Sequence, residues 1–205
     1  MITLHHLRIG RSIFTVWLLE ELDAPYDLKV YHRDPTTMRA GDDLKVIHPL
    51  GKSPVIEDDG LILSESGAIT SYLLEKLDTD HRFAPPRSDL RNWATFTQWL
   101  HYPEGSVFGP LLMKMLQMRS GQAHAAIEAF SNKEITLHLD HIARQLGDNP
   151  YILGDSFSGA DIGVAYVVSM ANRLGQLGAH PTLSAYLERN QSRRAYLRAL
   201  ARAVE

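Results

Sequence analysis

Residues 48–69, HPLGKSPVIEDDGLILSESGAI, limit the folds open to this chain more than any other stretch. Val55-Ile56-Glu57 is short and apolar-led and predicts a strand. Asp58-Asp59-Gly60 supplies hairpin-turn chemistry, and Leu61-Ile62-Leu63 continues the apolar run on the far side. Ser64-Glu65-Ser66 is polar and comes directly before Gly67-Ala68-Ile69 and the helical spacing of Tyr72, Leu73, Leu74 and Leu77, which places it at a helix N-terminus. A helix start presents unpaired backbone N–H groups and a partial positive charge, both suited to a carboxylate or phosphate. A hairpin feeding such a helix, with the Ser53-Pro54 bond ahead of it, can hold a small anionic peptide.

The rest of the composition narrows the class by exclusion. With 205 residues the chain has room for one or two domains with a proper core. A formal charge of −3 gives no reason to expect nucleic acid. The absence of cysteine excludes disulfides, a cysteine nucleophile and thiolate metal sites. No apolar run approaches the roughly 18 residues needed to span a bilayer, and His5-His6 interrupts the first apolar letters, so no membrane segment or signal peptide is expected and the cytoplasm is the default compartment.

In chain order, Ile2 to His5 predicts a strand, followed by the turn Arg8-Ile9-Gly10-Arg11-Ser12. A helix carrying Phe14, Trp17, Leu18 and Leu22 comes next, with Glu20 and Glu21 expected to face outward. Asp23-Ala24-Pro25 ends it, because proline cannot continue a helix. Tyr26 to Tyr31 alternates as a second strand, and a short helix is expected before His48-Pro49. Residues 79–88, rich in Asp, Pro and Arg, predict a linker between a domain at 1–78 and a helical domain at 89–205. In that second half a long amphipathic stretch runs through Trp93, Phe96, Trp99 and Leu100, with Pro103 and Pro110 expected to kink or divide it. Another helix is expected from about Gln122 to Leu146, a further one from His180-Pro181, and the last over Arg193 to Ala203. Phe157-Ser158-Gly159-Ala160-Asp161-Ile162 has the spacing of a capping box with a hydrophobic staple, a folding signal for which Asp161→Ala should cost about 1 kcal/mol. His138 and His141 lie three apart with no clear third ligand. They read as surface or interface residues, and no metal site is expected.

The order of signals over residues 48–69 resembles the glutathione-binding half of the cytosolic glutathione S-transferase family, of the bacterial and fungal type. The resemblance covers nearly the whole chain and is strongest there, then at 17–22 and 157–162. It implies a thioredoxin-like α/β N-terminal domain and an all-α C-terminal domain. It implies that Pro54 is a cis-proline, that the Ser53 backbone pairs with the cysteinyl unit of glutathione, and that Glu65-Ser66 takes the γ-glutamyl end. Lys52 matches the basic or amide residue that reaches towards the tripeptide. A homodimer is implied as well.

A glutathione transferase must make a thiolate, and lowering a thiol pKa from about 8.5 by about two units requires roughly 2.7 kcal/mol of preferential stabilisation. In the family the first strand-to-helix turn supplies it. Related transferases read His-x-Leu-x-x-Ser-Arg-x-x-Arg there, whereas this chain places Gly10 at the serine and Phe14 at the second arginine. Ser12 is the nearest hydroxyl, with a helix cap as its alternative role. The backbone N–H groups of residues 10–12 and the charge of Arg11 are the other sources. His101 matches a histidine that approaches the sulfur in cysteine-bearing bacterial relatives, although a lone His among aromatics is more often packed in a core. Tyr102, Ser106 and Phe108 are the expected lining of a hydrophobic pocket for the electrophile.

Two classes of function follow from the resemblance. One is a detoxification-type enzyme joining glutathione, as co-substrate, to small hydrophobic electrophiles, with peroxidase or isomerase chemistry open within it. The other is a non-catalytic glutathione-binding or assembly module of the same fold, to which Gly10 and Phe14 lend weight.

Overall fold

The computed structural model describes residues 1–122 and 124–204. Ala123, inside the helix expected from about Gln122, and Glu205, the end of the expected 89–205 domain, lie outside the described residues. The chain divides into two compact units, Met1–Asp80 with Ser192–Glu205, and His81–Gln191.

In the first unit, β1 (Ile2–Leu7) runs parallel to β2 (Tyr26–Tyr31), with α1 (Ile13–Glu21) as the crossover. A short α2 (Asp42–Ile47) precedes β3 (Val55–Asp58), which pairs antiparallel with β1, and β4 (Leu61–Ser64) completes a four-stranded sheet of order β2-β1-β3-β4. The β3–β4 turn is set by Asp59 and Gly60, both at positive φ (49° and 85°), the geometry of the tight hairpin turn that matches strand twist. α3 (Ser66–Leu77) follows directly. Ile2, Leu4, Tyr26 and Ile56 from the sheet, Val16, Leu18 and Leu19 from α1, and Ile69 and Leu73 from α3 are all buried and form the core.

The C-terminal helix α9 (Arg194–Ala203) belongs to this unit and not to the helical one. Ala195, Ala199 and Ala203 recur every four residues on its buried face, and their small size lets it lie close to α1. Glu20 and Glu21, expected to face outward, are buried here because α9 and Arg193 just before it supply their counter-charges. Arg193 grips Glu21 with two bonds of 2.6 and 2.8 Å, and Arg198 and Arg202 reach Glu20 at 2.9 and 3.3 Å. Burial raises the Glu20 pKa, but hydrogen bonds from Arg198, Tyr26 and Arg202 outweigh it and leave the carboxyl below its ordinary value.

The second unit contains α4 (Leu90–Tyr102), α5 (Phe108–Ser120), α6 (Ala125–Leu146), α7 (Gly159–Arg173) and α8 (Pro181–Gln191). Pro103 divides the first stretch into α4 and α5 without interrupting the helical path, whereas Pro110 lies within α5. Residues Pro103–Val107 widen into a π-helical turn, closed by Phe108 N–H to the Pro103 carbonyl, and the chain continues as α5. α7 is buried along most of its length, and Phe96, Trp99, Leu111, Ile135, Leu139, Ile142 and Tyr186 complete the core of this unit.

Candidate functional site

One end of the sheet in the first unit collects most of the residues singled out in the sequence. The Leu7 N–H at the end of β1 donates to Ser53 Oγ at 3.1 Å, and Ser53 Oγ donates to the His5 carbonyl at 2.6 Å. The Leu7 carbonyl accepts from Ser12 Oγ at 3.2 Å. The loop before Pro54 and the turn before α1 are therefore joined through one residue. Val55 pairs with His5 on one side and with Ser64 on the other, so Glu65 and Ser66 open α3 at the same sheet end. The Ser53-Pro54 peptide bond is cis. Among the described residues, the Ser53 main-chain N–H and C=O have no hydrogen-bond partner, because its hydroxyl alone makes the link to β1.

The mouth of α3 is open. No side chain caps its N-terminus and its first turn carries no acidic residue. The first N–H to find an intrahelical acceptor is that of Ile69, on the Glu65 carbonyl at 2.9 Å, so the amides of Ser66, Gly67 and Ala68 point ahead of the helix. Glu65 itself sits at φ 72° and ψ 117°, a conformation that costs a non-glycine residue about 1–3 kcal/mol. The exposed Glu65 side chain and the half-buried Ser66 stand beside these amides. Lys52 is exposed on the same loop as Ser53.

The first turn differs from the expectation in two respects. Ser12, a candidate for activating a thiol, is fully buried, and its hydroxyl is engaged by His6 Nδ1 at 2.8 Å and the Leu7 carbonyl. It does not cap α1 either. Gly10 is where a side chain would collide: a Cβ there would lie 2.9 Å from the Leu7 carbonyl oxygen and 3.1 Å from an Arg33 nitrogen. Arg33 was not singled out in the sequence, yet it fixes this turn by donating to the carbonyls of Arg8, Ile9 and Met38 at 3.1, 2.9 and 2.8 Å. Nothing in its sequence spacing marks it, since its three acceptors are main-chain atoms. Arg11 is half-buried in the same turn.

The remaining candidates lie in the helical unit. His101 is exposed, and not packed in a core. Tyr102, half-buried at the end of α4, hydrogen-bonds His138 Nδ1 at 2.6 Å. Its ring also packs edge-on against His141, which stacks on Trp99 with centroids 5.3 Å apart. His138 and His141, expected at the surface or at an interface, are half-buried where α6 packs on the aromatic end of α4. Ser106 and Phe108 are half-buried in and after the π-helical turn, and the Phe108 ring lies 6.4 Å from that of Tyr166. Among the described residues, no group of three or more His, Cys, Asp or Glu can hold a metal, and no helix is long and apolar enough to cross a membrane.

Residues 1–75 match the family model described as glutathione S-transferase, N-terminal domain, and residues 125–189 match that described as glutathione S-transferase, C-terminal domain. The chain is 34% identical over 186 residues to glutathione S-transferase 3 of Schizosaccharomyces pombe, covering 84% of this chain and 75% of that protein. It is 29% identical to glutathione S-transferase 1 of Saccharomyces cerevisiae, over 96% of this chain and 92% of the relative. A solved glutathione S-transferase from Actinobacillus pleuropneumoniae superposes with a TM-score of 0.89 at 31% identity, covering 100% of this chain and 93% of the other.

Proposed function

This chain belongs to the glutathione S-transferase family, and on that premise we propose that it binds glutathione at the sheet end of its first unit and transfers the thiolate to a small hydrophobic electrophile. The observation that carries the binding half is the uncapped mouth of α3. Three forward-pointing amides and a strained Glu65 stand there beside an unpaired Ser53 main chain. In this reading the γ-glutamyl carboxylate lies on the amides of Ser66 and Gly67, the cysteinyl unit pairs with the Ser53 backbone, and Lys52 faces the glycyl carboxylate. Thiolate stabilisation falls to the main-chain N–H groups of Gly10–Ser12 at the start of α1 and to the charge of Arg11, because the Ser12 hydroxyl is held in the core. Tyr102, Ser106 and Phe108 of the helical unit receive the electrophile, and His101 has no necessary part.

One observation favours the second reading, glutathione binding without turnover: the Ser12 hydroxyl of the first turn is buried and held by His6 Nδ1 and the Leu7 carbonyl. Calorimetric titration followed by turnover separates the two. Micromolar-to-millimolar binding with conjugation of an aryl or benzyl halide supports the transferase, and binding alone supports the module. No binding at millimolar glutathione removes both.

The reading extends to a homodimer in the cytoplasm. Leu61 and Ile62 on the edge strand β4, and Leu90, Leu116 and Phe130 in the helical unit, are exposed apolar side chains of the kind that a second copy covers. Light scattering of the purified chain tests it, and a monomer at tens of micromolar would end it.

A further inference from the structure

The Tyr102–His138 pair continues to a carboxylate. His138 Nε2 lies 3.8 Å from Glu134 Oε2, one helical turn back on α6, while Nδ1 meets the Tyr102 hydroxyl. A neutral imidazole carries a single N–H, and the two nitrogens here face unlike neighbours. A lone pair on Nε2 would point at a carboxylate, so the proton belongs on Nε2, and Nδ1 is left to accept from Tyr102. The tyrosine oxygen then offers only lone pairs to anything beyond it. Protonation of His138 reverses this: Nδ1–H must donate to the tyrosine oxygen, and the Tyr102 hydrogen is released outward.

We propose that His138 sets the direction of the Tyr102 hydroxyl, which faces a ligand as an acceptor when the imidazole is neutral and as a donor when it is charged. Tyr102 is thereby a specificity-determining residue, favouring electrophiles with a hydrogen-bond-accepting carbonyl as the pH falls. The substrate part rests on the transferase reading, and the hydrogen-bond direction does not. Among the described residues, the titratable groups seen to act on His138 are Tyr102 on α4 and Glu134 and His141 on α6. Burial holds its pKa below 6.5, with Glu134 opposing and His141 adding to the effect. Burial raises the Tyr102 pKa, so that its hydroxyl keeps its proton in both states.

Nitrogen-15 NMR of the labelled protein reads the first part directly. At about pH 7.5 the His138 proton is expected on Nε2, and a proton on Nδ1 at that pH would overturn the proposal. For the second part, kcat/KM is measured with benzylideneacetone, which has an acceptor carbonyl, and with benzyl chloride, which has none. Their ratio cancels the pH dependence of the thiolate. The ratio should rise about fivefold between the pH at which the nitrogen-15 shifts show His138 neutral and the lower pH at which they show it charged, the weight of one hydrogen bond, and stay flat in Tyr102→Phe and His138→Gln. A flat ratio in the parent, or a rise that survives in Tyr102→Phe, contradicts it. If neither electrophile is conjugated, the transferase reading fails, and the tautomer alone decides whether the hydroxyl is steered.

Discussion

Helices α3 and α7 each begin beside a serine and an acidic residue, yet the acid stands in a different place in each. At α7, Asp161 is the third helical residue and is fully buried. Its carboxylate accepts from the Ser158 N–H and hydroxyl at 2.9 Å each, from the Ile152 N–H at 2.8 Å and from Tyr186 Oη at 2.9 Å. At α3, Glu65 precedes the helix, points to solvent and caps nothing, leaving the amides of the first turn to whatever anion arrives. The same residue types thus close one helix for folding and leave the other open for binding. What separates them is a shift of the acid from inside the first turn to just before it, together with a backbone held at positive φ.

The largest expected effect tests the closed end. Asp161→Ala leaves several buried donors without an acceptor, so the cost rises from the about 1 kcal/mol of a lone cap to about 3 kcal/mol, read by denaturant unfolding, with glutathione affinity unchanged. At the open end the signs reverse. Ser66→Ala keeps the amides but removes the hydroxyl beside them, the second donor to the γ-glutamyl carboxylate, and should weaken glutathione binding about tenfold by calorimetry while leaving stability within about 0.5 kcal/mol. Glu65→Gly should weaken binding yet stabilise the fold by about 1 kcal/mol through relief of the positive-φ strain, and equal losses of both would break the comparison. Ser12→Ala should cost about 1 kcal/mol from its lost buried bonds and leave the pH profile of conjugation unshifted. A shifted profile would return the hydroxyl to the mechanism. His101→Ala, the smallest, should change kcat by less than about twofold, within the range of surface substitutions.

Acid separates the ends of the first unit in another way. The Glu20 carboxyl has a depressed folded-state pKa, so its contribution is present above the unfolded value near 4.5 and is lost as the pH falls through the lowered one. The attachment of α9 should therefore loosen only below about pH 4.5. Trp17, which donates to Glu21 at 2.8 Å and packs on Tyr196, reports it by fluorescence. A transition near neutral pH would assign the attachment to other groups.

Both helix starts were legible in the sequence because each is written in a handful of adjacent residues: the turn at Asp59-Gly60, the polar run before Gly67, the Ser158/Asp161 spacing. The four-stranded sheet and the helical half followed from those signals and the family resemblance. What escaped depends on partners far along the chain. Glu20 and Glu21 read as solvent-facing until Arg193 and the arginines of α9, more than 170 residues later, reach them. Ser12 read as available until β1 folds His6 and Leu7 over it. The pairing of Tyr102 with His138 spans two helices, and no periodicity within either one announces it.

Amide NMR during a glutathione titration addresses the open helix most directly. The account requires the largest and saturable shifts at Ser53, Ser66 and Gly67, with those around Ser158 unmoved. Saturable shifts that spare Ser66 and Gly67, or none at millimolar glutathione, would contradict it.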